Sequence, residues 1–147
     1  LRRQRQMCIR DRDDCIFCKI AAGEIPSRKI YEDKDLIAIM DLSPTSKGHS
    51  LIIPKEHYTN IYDIDEEIAG KVMKTAKKLA TKMTVALNCD GFNLLQNNGE
   101  TAGQTMFHFH MHLIPRYKDA DNNMLKFTSV SFSDEEMDSI RDQIIKD

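Results

Sequence analysis

Thr105-Met-Phe-His-Phe-His-Met-His-Leu-Ile-Pro115 is a stretch in which histidines alternate with large apolar residues. Alternate residues of a β-strand point to opposite faces, so the pattern predicts a strand from Thr105 to Ile114 that Pro115 closes. One face would present three imidazoles, those of His108, His110 and His112. The other face would pack into the core with Phe107, Phe109, Met111 and Leu113. A half-buried strand whose polar face merely happens to be histidine, with or without a metal, is the alternative.

The sequence on either side of this stretch predicts one antiparallel sheet with helices. Strands are expected at 29–31, 36–40, 49–53 and 92–95, and a short helix at 15–22. Apolar residues recur every three or four positions from Asp65 to Asn88, which indicates a long amphipathic helix. Ser133-Asp-Glu-Glu136 is a capping box that opens a C-terminal helix. The fold class is therefore α+β, an antiparallel sheet of about five strands with the helices on one face.

Length and charge restrict the organisation of the 147-residue chain. Residues 1–12 carry five arginines without a core pattern or the apolar run of a secretory signal. We interpret them as a non-native, adaptor-like or disordered tail and assign 13–147 to a single domain. Without this tail, 16 basic and 22 acidic side chains remain, which argues against a nucleic-acid partner. The absence of a run of about 18 apolar residues argues against a membrane span.

Cys15-Ile-Phe-Cys18 is a cysteine pair at C-x-x-C spacing. In a chain without a secretory signal, this spacing favours a reducing compartment, here the cytoplasm, and a metal or redox role for the thiols. The alternative is a pair of buried free cysteines.

The segment His108-Phe-His-Met-His-Leu-Ile114 resembles the H-φ-H-φ-H-φ-φ signature of the histidine triad (HIT) superfamily, where φ is apolar. Other blocks are similar to the family's, in order: Cys-Ile-Phe-Cys-Lys-Ile20, Met40-Asp-Leu-Ser-Pro44, Gly48-His-Ser-Leu-Ile-Ile-Pro54 and Asn97-Asn-Gly99. The resemblance covers roughly 14–118 and is to the small bacterial protein-kinase-C-inhibitor-like (Hint-like) branch. Gly103-Gln-Thr105 also resembles the Fhit-like branch. The implied fold is HIT-like, with a long helix and short terminal helices.

The resemblance implies a nucleotide hydrolase or transferase that acts on the α-phosphate of adenosine nucleotides. His110 would be the nucleophile that forms a covalent nucleotidyl intermediate, and His112 would donate to the phosphate oxygens. Contacts to the phosphate or the leaving group are implied for Asn97, Gln104 and Thr105. Gly103 would let the backbone approach the substrate.

The same resemblance implies a nucleoside site. Asp41 would accept hydrogen bonds from the ribose hydroxyls. An apolar slot would hold the base loosely, and its residues would be Ile16, Phe17, Ile20, Ile39 and Leu42.

The cysteines, the first triad histidine and one further histidine suggest a metal site. Cys15, Cys18, His49 and His108 supply two thiolates and two imidazoles, a typical set for a closed tetrahedral Zn²⁺ site. Zinc-binding members of the family support this structural role, and no organic cofactor is implied. His57 lies at the connection from strand to helix and is predicted to be a surface residue. The family also implies a homodimer that pairs through the long helix and a sheet edge.

Several functions compatible with these residues stay open. The first is hydrolysis of a P–N bond, as in adenosine 5'-phosphoramidate or adenylyl-lysine. Hydrolysis of dinucleoside polyphosphates at the same site is the alternative, and the Fhit-like residues keep it open. A catalytic zinc held by two triad histidines would be a different mechanism, against which the two cysteines count because they complete a closed site. A non-catalytic nucleotide-binding protein is the last alternative, and the intact triad argues against it.

Overall fold

The computed structural model describes residues 14–120 and 125–147, so the predicted tail at 1–12 lies outside the described residues. In chain order the elements are α1 (Ile16–Ala21), β1 (Lys29–Glu32), β2 (Leu36–Met40), β3 (Ser50–Pro54), α2 (Glu66–Leu87), β4 (Gly91–Leu95), a 3₁₀ turn (Glu100–Ala102), β5 (Met111–Arg116) and α3 (Asp134–Ile145). The α+β class, with a five-stranded sheet and a long helix, is confirmed. None of the described helices has the length and apolar content needed to cross a membrane.

The five strands form one antiparallel sheet in the order β1-β2-β3-β5-β4. β5 lies between β3 and β4, and both Leu51 of β3 and Leu95 of β4 pair with His112. Residues paired directly across two strands share a face of the sheet. The register therefore places His112 on the same face as Leu51.

Both faces of the sheet are covered, each by a different helix. On one face α2 packs through Val72, Ala76 and Leu79 against the β-strands. On the other face α1 packs through Phe17 and Ile20. The prediction that the helices lie on one face is wrong, because β2 and β3 are apolar at consecutive positions and both of their faces need cover.

Capping side chains set the helix ends. Asp65 caps α2 by accepting from the backbone N of Ile68, and Asn88 ends the helix in the left-handed region with φ 54°. The predicted capping box of α3 is confirmed, since Ser133 and Glu136 each accept a hydrogen bond from the other's backbone N.

The strand that carries the histidines is shorter than predicted. β5 begins at Met111 and continues through Pro115 to Arg116, so of the three triad histidines only His112 lies in a strand. Pairing with β3 stops at Ile52↔Met111, and the backbone N of Phe109 donates to the carbonyl of Tyr58 instead of to β3. The Pro54 carbonyl of β3 accepts from the His108 ring at 2.8 Å. Phe107 lies in the irregular segment before β5 and is 51% exposed, so its predicted core position is wrong.

Candidate active site

His110 and His112 lie side by side with their ring centroids 4.9 Å apart. The edge of Phe17, from α1, lies against His110 with a centroid separation of 5.1 Å. His110 is buried, as is His108, whereas His112 is half-buried. The structure thus brings the three triad histidines to one region although most of the segment is not a strand.

The tautomer of His110 follows from one hydrogen bond. Its Nδ1 lies 2.7 Å from the carbonyl oxygen of His108. A carbonyl only accepts, so Nδ1 carries the proton and donates, and the Nε2 lone pair is left free. Burial lowers the pKa of His110 and outweighs the opposing effect of the His108 carbonyl. His110 is therefore a neutral imidazole with an available nucleophilic nitrogen.

A hydrogen bond with His49 fixes the tautomer of His112. The backbone N of Thr45 donates to His49 Nδ1 at 3.0 Å, so the His49 proton is on Nε2. That nitrogen lies 2.9 Å from His112 Nδ1 and donates to it. The remaining proton of His112 is therefore on Nε2. His112 presents this N–H as a donor beside His110.

Burial also keeps these two rings uncharged. It lowers the pKa of His112 to about 4, with further lowering from the nearby His110 and His49. The pKa of His49 is lowered by burial as well, partly opposed by the Asp41 carboxylate. The chain of donors from Thr45 to His112 thus consists of neutral groups.

Asp41 follows the end of β2 and stands beside His49. Its Oδ2 lies 3.5 Å from His49 Nε2, and its Oδ1 accepts from the backbone N of Ser43 at 2.8 Å. Asp41 is only half-buried, so one side of the carboxylate faces solvent next to the histidines. This position suits the role that the sequence implied, a contact to vicinal hydroxyls.

The loop between β4 and the triad is held by Gln104. Its Nε2 donates to the carbonyls of Thr59 at 2.7 Å and Met106 at 3.1 Å, and its Oε1 accepts from Gly99 N at 2.8 Å. Both amide protons of this buried side chain are therefore used. The prediction that Gln104 contacts the phosphate is corrected by this geometry, because the side chain positions the loop instead.

The other residues predicted to contact substrate from this loop are Asn97, Gly103 and Thr105. Thr105 is exposed. Gly103 has φ +95°, a conformation that L side chains rarely adopt, and a Cβ there would lie 3.7 Å from Asn97 Nδ2. Asn97 and Gly103 are therefore close neighbours in this loop.

The predicted base slot is partly core. Phe17, Ile20 and Ile39 are buried in the cluster under α1, which agrees with ordinary core packing for these three. Ile16 is 49% exposed and Leu42 is 85% exposed. The two exposed residues belong to α1 and to the loop after β2.

Cys15, Cys18, His57 and the first triad histidine, His108, form a second cluster. Cys15 Sγ lies 3.3 Å from His108 Nδ1, and Cys18 Sγ lies 3.3 Å from His57 Nδ1. All four ligand atoms lie within 4.8 Å of one another. A tetrahedral Zn²⁺ with the usual bond lengths separates its ligand atoms by roughly 3.5 Å, so the cluster fits this ion. His108 Nε2 donates to Pro54 O, which keeps Nδ1 free for a metal.

The fourth member of this cluster is His57, and the predicted metal ligand His49 is wrong. His49 shares a sheet face with Leu51, and Leu51 pairs with His112, so the His49 ring meets the triad. His57, predicted to be a surface residue, turns back from the connection after β3 toward Cys18. The sequence carries no signal for this role, because the same position after a strand is typical of a surface residue.

The thiols of the cluster are suited to bind a cation. Burial raises the pKa of the Cys15 thiol, but hydrogen bonds with His108 and His57 outweigh it and lower this pKa to about 5. The thiolate form is the metal ligand. With two sulfurs and two nitrogens, this set is closed and has no position for a catalytic water. Asp41, His49 and His112 form a separate group of three possible ligand atoms, so the cysteine cluster by itself does not decide about a catalytic zinc.

A family model for the HIT domain matches residues 22–119. The chain belongs to the HIT family. Protein hit of Bacillus subtilis is 42% identical over 136 residues, with 91% of this chain and 94% of that protein covered. Adenosine 5'-monophosphoramidase hnt1 of Schizosaccharomyces pombe is 37% identical over 130 residues, with 88% and 95% covered. HIT relatives of this kind support nucleotide hydrolase activity.

Solved HIT structures share the fold. SMU.412c from Streptococcus mutans superposes with a TM-score of 0.86 at 41% identity, covering 90% of this chain and 84% of that one. A Zn-bound histidine triad family protein from Mycobacterium smegmatis gives a TM-score of 0.72 at 32% identity, covering 88% and 92%.

Proposed function

We propose that this HIT protein hydrolyses P–N bonds at the α-phosphate of adenosine nucleotides, of the adenosine 5'-phosphoramidate or adenylyl-lysine type, through a nucleotidyl-His110 intermediate. The observation that carries the proposal is the Nδ1–H···O bond between His110 and the His108 carbonyl. It leaves His110 Nε2 free while His112 presents an N–H beside it. The named activity of the S. pombe relative supports the same bond type.

The proposed reaction has two steps, transfer of the nucleotidyl group to His110 and its hydrolysis. His110 Nε2 attacks the α-phosphorus, the P–N bond breaks, and the amine leaves with a proton from solvent. Water then attacks the phosphorus, the bond to Nε2 breaks, and a proton returns to solvent, so the net reaction consumes one water. His112 Nε2–H would donate to a phosphate oxygen in both steps, and Thr105 and Asn97 would add further donors.

The ribose and base contacts belong to the same proposal. Asp41 would accept from the ribose hydroxyls, and the base would lie on the apolar surface of Ile16 and Leu42 above Phe17. A dinucleoside polyphosphate would place its α-phosphate at the same histidines, and the resemblance of Gly103-Gln-Thr105 to the Fhit-like branch keeps this second candidate substrate open.

Intact-mass analysis after rapid quenching with adenosine 5'-phosphoramidate tests the proposal. We expect the wild-type protein to gain one adenylyl group transiently, on the peptide that contains His110. A Glu67→Ala variant on the exposed start of α2 is the control and should show the same adduct. Turnover without any adduct would exclude the covalent route. A parallel run with a diadenosine polyphosphate ranks the two substrate classes.

We also propose that Cys15, Cys18, His57 and His108 hold a structural Zn²⁺. The ion would supply a rigid crosslink between α1, the connection after β3 and the triad segment, without taking part in the reaction. The fit of the four ligand atoms and the Zn-bound relative support this. Because zinc binding needs thiolates, we propose a reducing compartment, the cytoplasm, for this chain.

A homodimer is proposed as well. β4 is an edge strand of the sheet, and Leu94 on it is 41% exposed. On α2, Met73 and Val85 are 52% and 82% exposed. Apolar surface on an edge strand and on the long helix is suited to pairing with a second copy.

The pH dependence of kcat/KM should follow His110. Its pKa lies below the ordinary 6.5, and the neutral ring is the reactive form. Activity is therefore expected to stay level as the pH falls from 8 to about 6.5 and to decline only at more acidic pH, where Nε2 becomes protonated. Steady-state kinetics between pH 4.5 and 8 measure this. A decline that begins above pH 7 would contradict the neutral, buried ring.

Substitution of His49 tests whether this residue belongs to the triad or to the cysteine cluster. His49→Phe removes the N–H that donates to His112, so kcat/KM should fall about 10- to 100-fold. Its zinc content should match the wild type, whereas His57→Phe should lose zinc. Metal analysis of the two purified variants distinguishes them, and loss of zinc from His49→Phe would return this residue to the metal set.

A further inference from the structure

Cys15 and Cys18 lie close enough together to react with each other. Both Sγ atoms are near the same ring nitrogen, His108 Nδ1, at 3.3 and 3.4 Å. The two sulfurs are at most 4.8 Å apart. A disulfide joins sulfurs about 2 Å apart, so rotation of the two side chains can bring these sulfurs into bonding distance. The pair is thus placed to form a disulfide as well as to bind a metal.

The two cysteines differ in their access to solvent. Cys15 precedes α1 as its N-cap and is half-buried, whereas Cys18 is 8% exposed. A small oxidant from solvent therefore meets Cys15 first, and Cys18 lies beside it as the second thiol. Redox-sensing proteins combine an accessible thiolate with a neighbouring resolving cysteine in this way. Cys89 is also buried, and its thiol donates to the hydroxyl of Thr84.

Phe17 connects the cysteine pair to the triad. It lies between the two cysteines in the sequence, within α1. Its ring packs edge-on against the rings of His108 and His110, with centroid separations of 5.9 and 5.1 Å. A change at either sulfur is therefore transmitted over one or two residues to the ring that contacts His110.

A disulfide would also remove the partners of two imidazoles. The sulfurs of Cys15 and Cys18 now contact Nδ1 of His108 and of His57. A disulfide sulfur has neither the charge of a thiolate nor the proton of a thiol, so it is a weak partner for these nitrogens and a poor zinc ligand. His108 is fully buried, and its carbonyl accepts from His110 Nδ1. Loss of its own partner therefore favours movement of the backbone that fixes the His110 tautomer.

We propose that Cys15 and Cys18 are a redox switch of the active site: hydrogen peroxide closes their disulfide, which expels the proposed zinc and weakens nucleotide binding through Phe17 and His108. The weakened binding rests on the proposed function, whereas disulfide formation does not.

The oxidation has two steps. The Cys15 thiolate attacks an oxygen of hydrogen peroxide, so an S–O bond forms, the O–O bond breaks and hydroxide leaves. The Cys18 thiolate then attacks the Cys15 sulfur, so the S–S bond forms, the S–O bond breaks and a second hydroxide leaves. Two electrons pass from the sulfurs to the peroxide, and two protons from solvent convert the hydroxides to water.

Oxidation of the purified full-length protein with hydrogen peroxide tests the disulfide. We expect intact mass to show the loss of two hydrogen atoms, peptide mapping to place the bond between Cys15 and Cys18, and dithiothreitol to restore both thiols. Cys8→Ser combined with Cys89→Ser removes the other two cysteines and should leave this result unchanged. Oxidation of Cys89 while Cys15 and Cys18 stay reduced would overturn the proposal. The disulfide is expected in zinc-loaded and metal-free protein alike, so a chain that binds no zinc refutes only the metal site.

Ring signals of ¹⁵N-labelled histidine report the effect on the triad without any nucleotide. We expect the ring-nitrogen resonances of His108 and His110 to shift on oxidation and to return on reduction, and the dissociation constant for AMP to rise about 10-fold. Cys15→Ser cannot form the disulfide and should show no change with peroxide in either measurement. A disulfide that leaves the His110 signals or the AMP affinity unchanged would overturn the switch. A reduced protein that binds no AMP would refute the proposed function, and the His110 signals would then decide the switch alone.

Discussion

A His110→Ala variant is expected to lose turnover of adenosine 5'-phosphoramidate by at least about 10⁴-fold while it keeps its fold and its affinity for AMP. The reason is that no neighbouring group can replace Nε2 of His110. His112 carries its proton on the nitrogen that would have to attack, because His49 donates to the other one. The nearby thiols of Cys15 and Cys18 lie in the second cluster, against His108 and His57.

Three measurements on this variant make the result unambiguous. Steady-state turnover should fall, AMP binding by calorimetry should stay within a few-fold of the wild type, and the melting temperature should fall by only a few degrees. Glu67→Ala is the control for the handling of the protein. Retained turnover would exclude His110 as the nucleophile. Unchanged, negligible turnover in both the wild type and the variant would favour a non-catalytic nucleotide-binding protein.

Removal of the proposed zinc is expected to lower the melting temperature by about 10 °C or more and to weaken AMP binding. The cluster joins three segments that are distant in sequence, through Cys15 and Cys18 at α1, His57, and His108. α1 has only six residues and is not stable alone. Loss of a buried cluster that costs about 3 kcal/mol corresponds to this shift for a domain of this size. The affinity for AMP should fall as well, because Phe17 of α1 contacts both His108 and His110.

Thermal unfolding of the protein as purified, after chelation, and after zinc is restored measures this effect, with metal content determined on each sample. Cys18→Ser should reproduce the chelated state permanently. His49→Phe is the matched histidine control for metal content and should retain the metal. A metal-free protein that melts at the same temperature as the zinc-loaded one would favour buried free cysteines at this place.

The sequence was informative where local patterns decide the structure. The repeat from Asp65 to Asn88 predicted α2 within a residue at each end, and the capping box predicted the start of α3. The proximity of His110 and His112 also follows from their spacing. These features depend on neighbours within a few positions of the chain, which a pattern of residue types records.

The partner of each histidine was decided by tertiary structure. His49 and His57 are both histidines near β3, and residue type alone gives no reason to assign either to the cysteines. The strand register Leu51↔His112 directs His49 to the triad, and the return of the chain after Pro54 brings His57 to Cys18.

By itself, the sequence determined the family, the helices, the apolar strands and the close spacing of the triad histidines, because each of these depends on residues a few positions apart. The tertiary structure alone decided that both sheet faces are covered, that Gln104 holds a loop, that Phe107 is exposed and that His57 completes the cysteine cluster. The physical reason is that alternation of residue types predicts which face of a strand a side chain occupies. Where the strand ends depends instead on hydrogen bonds to the neighbouring strand. Before β5, the backbone N of Phe109 donates to the Tyr58 carbonyl, and the Pro54 carbonyl accepts from the ring of His108.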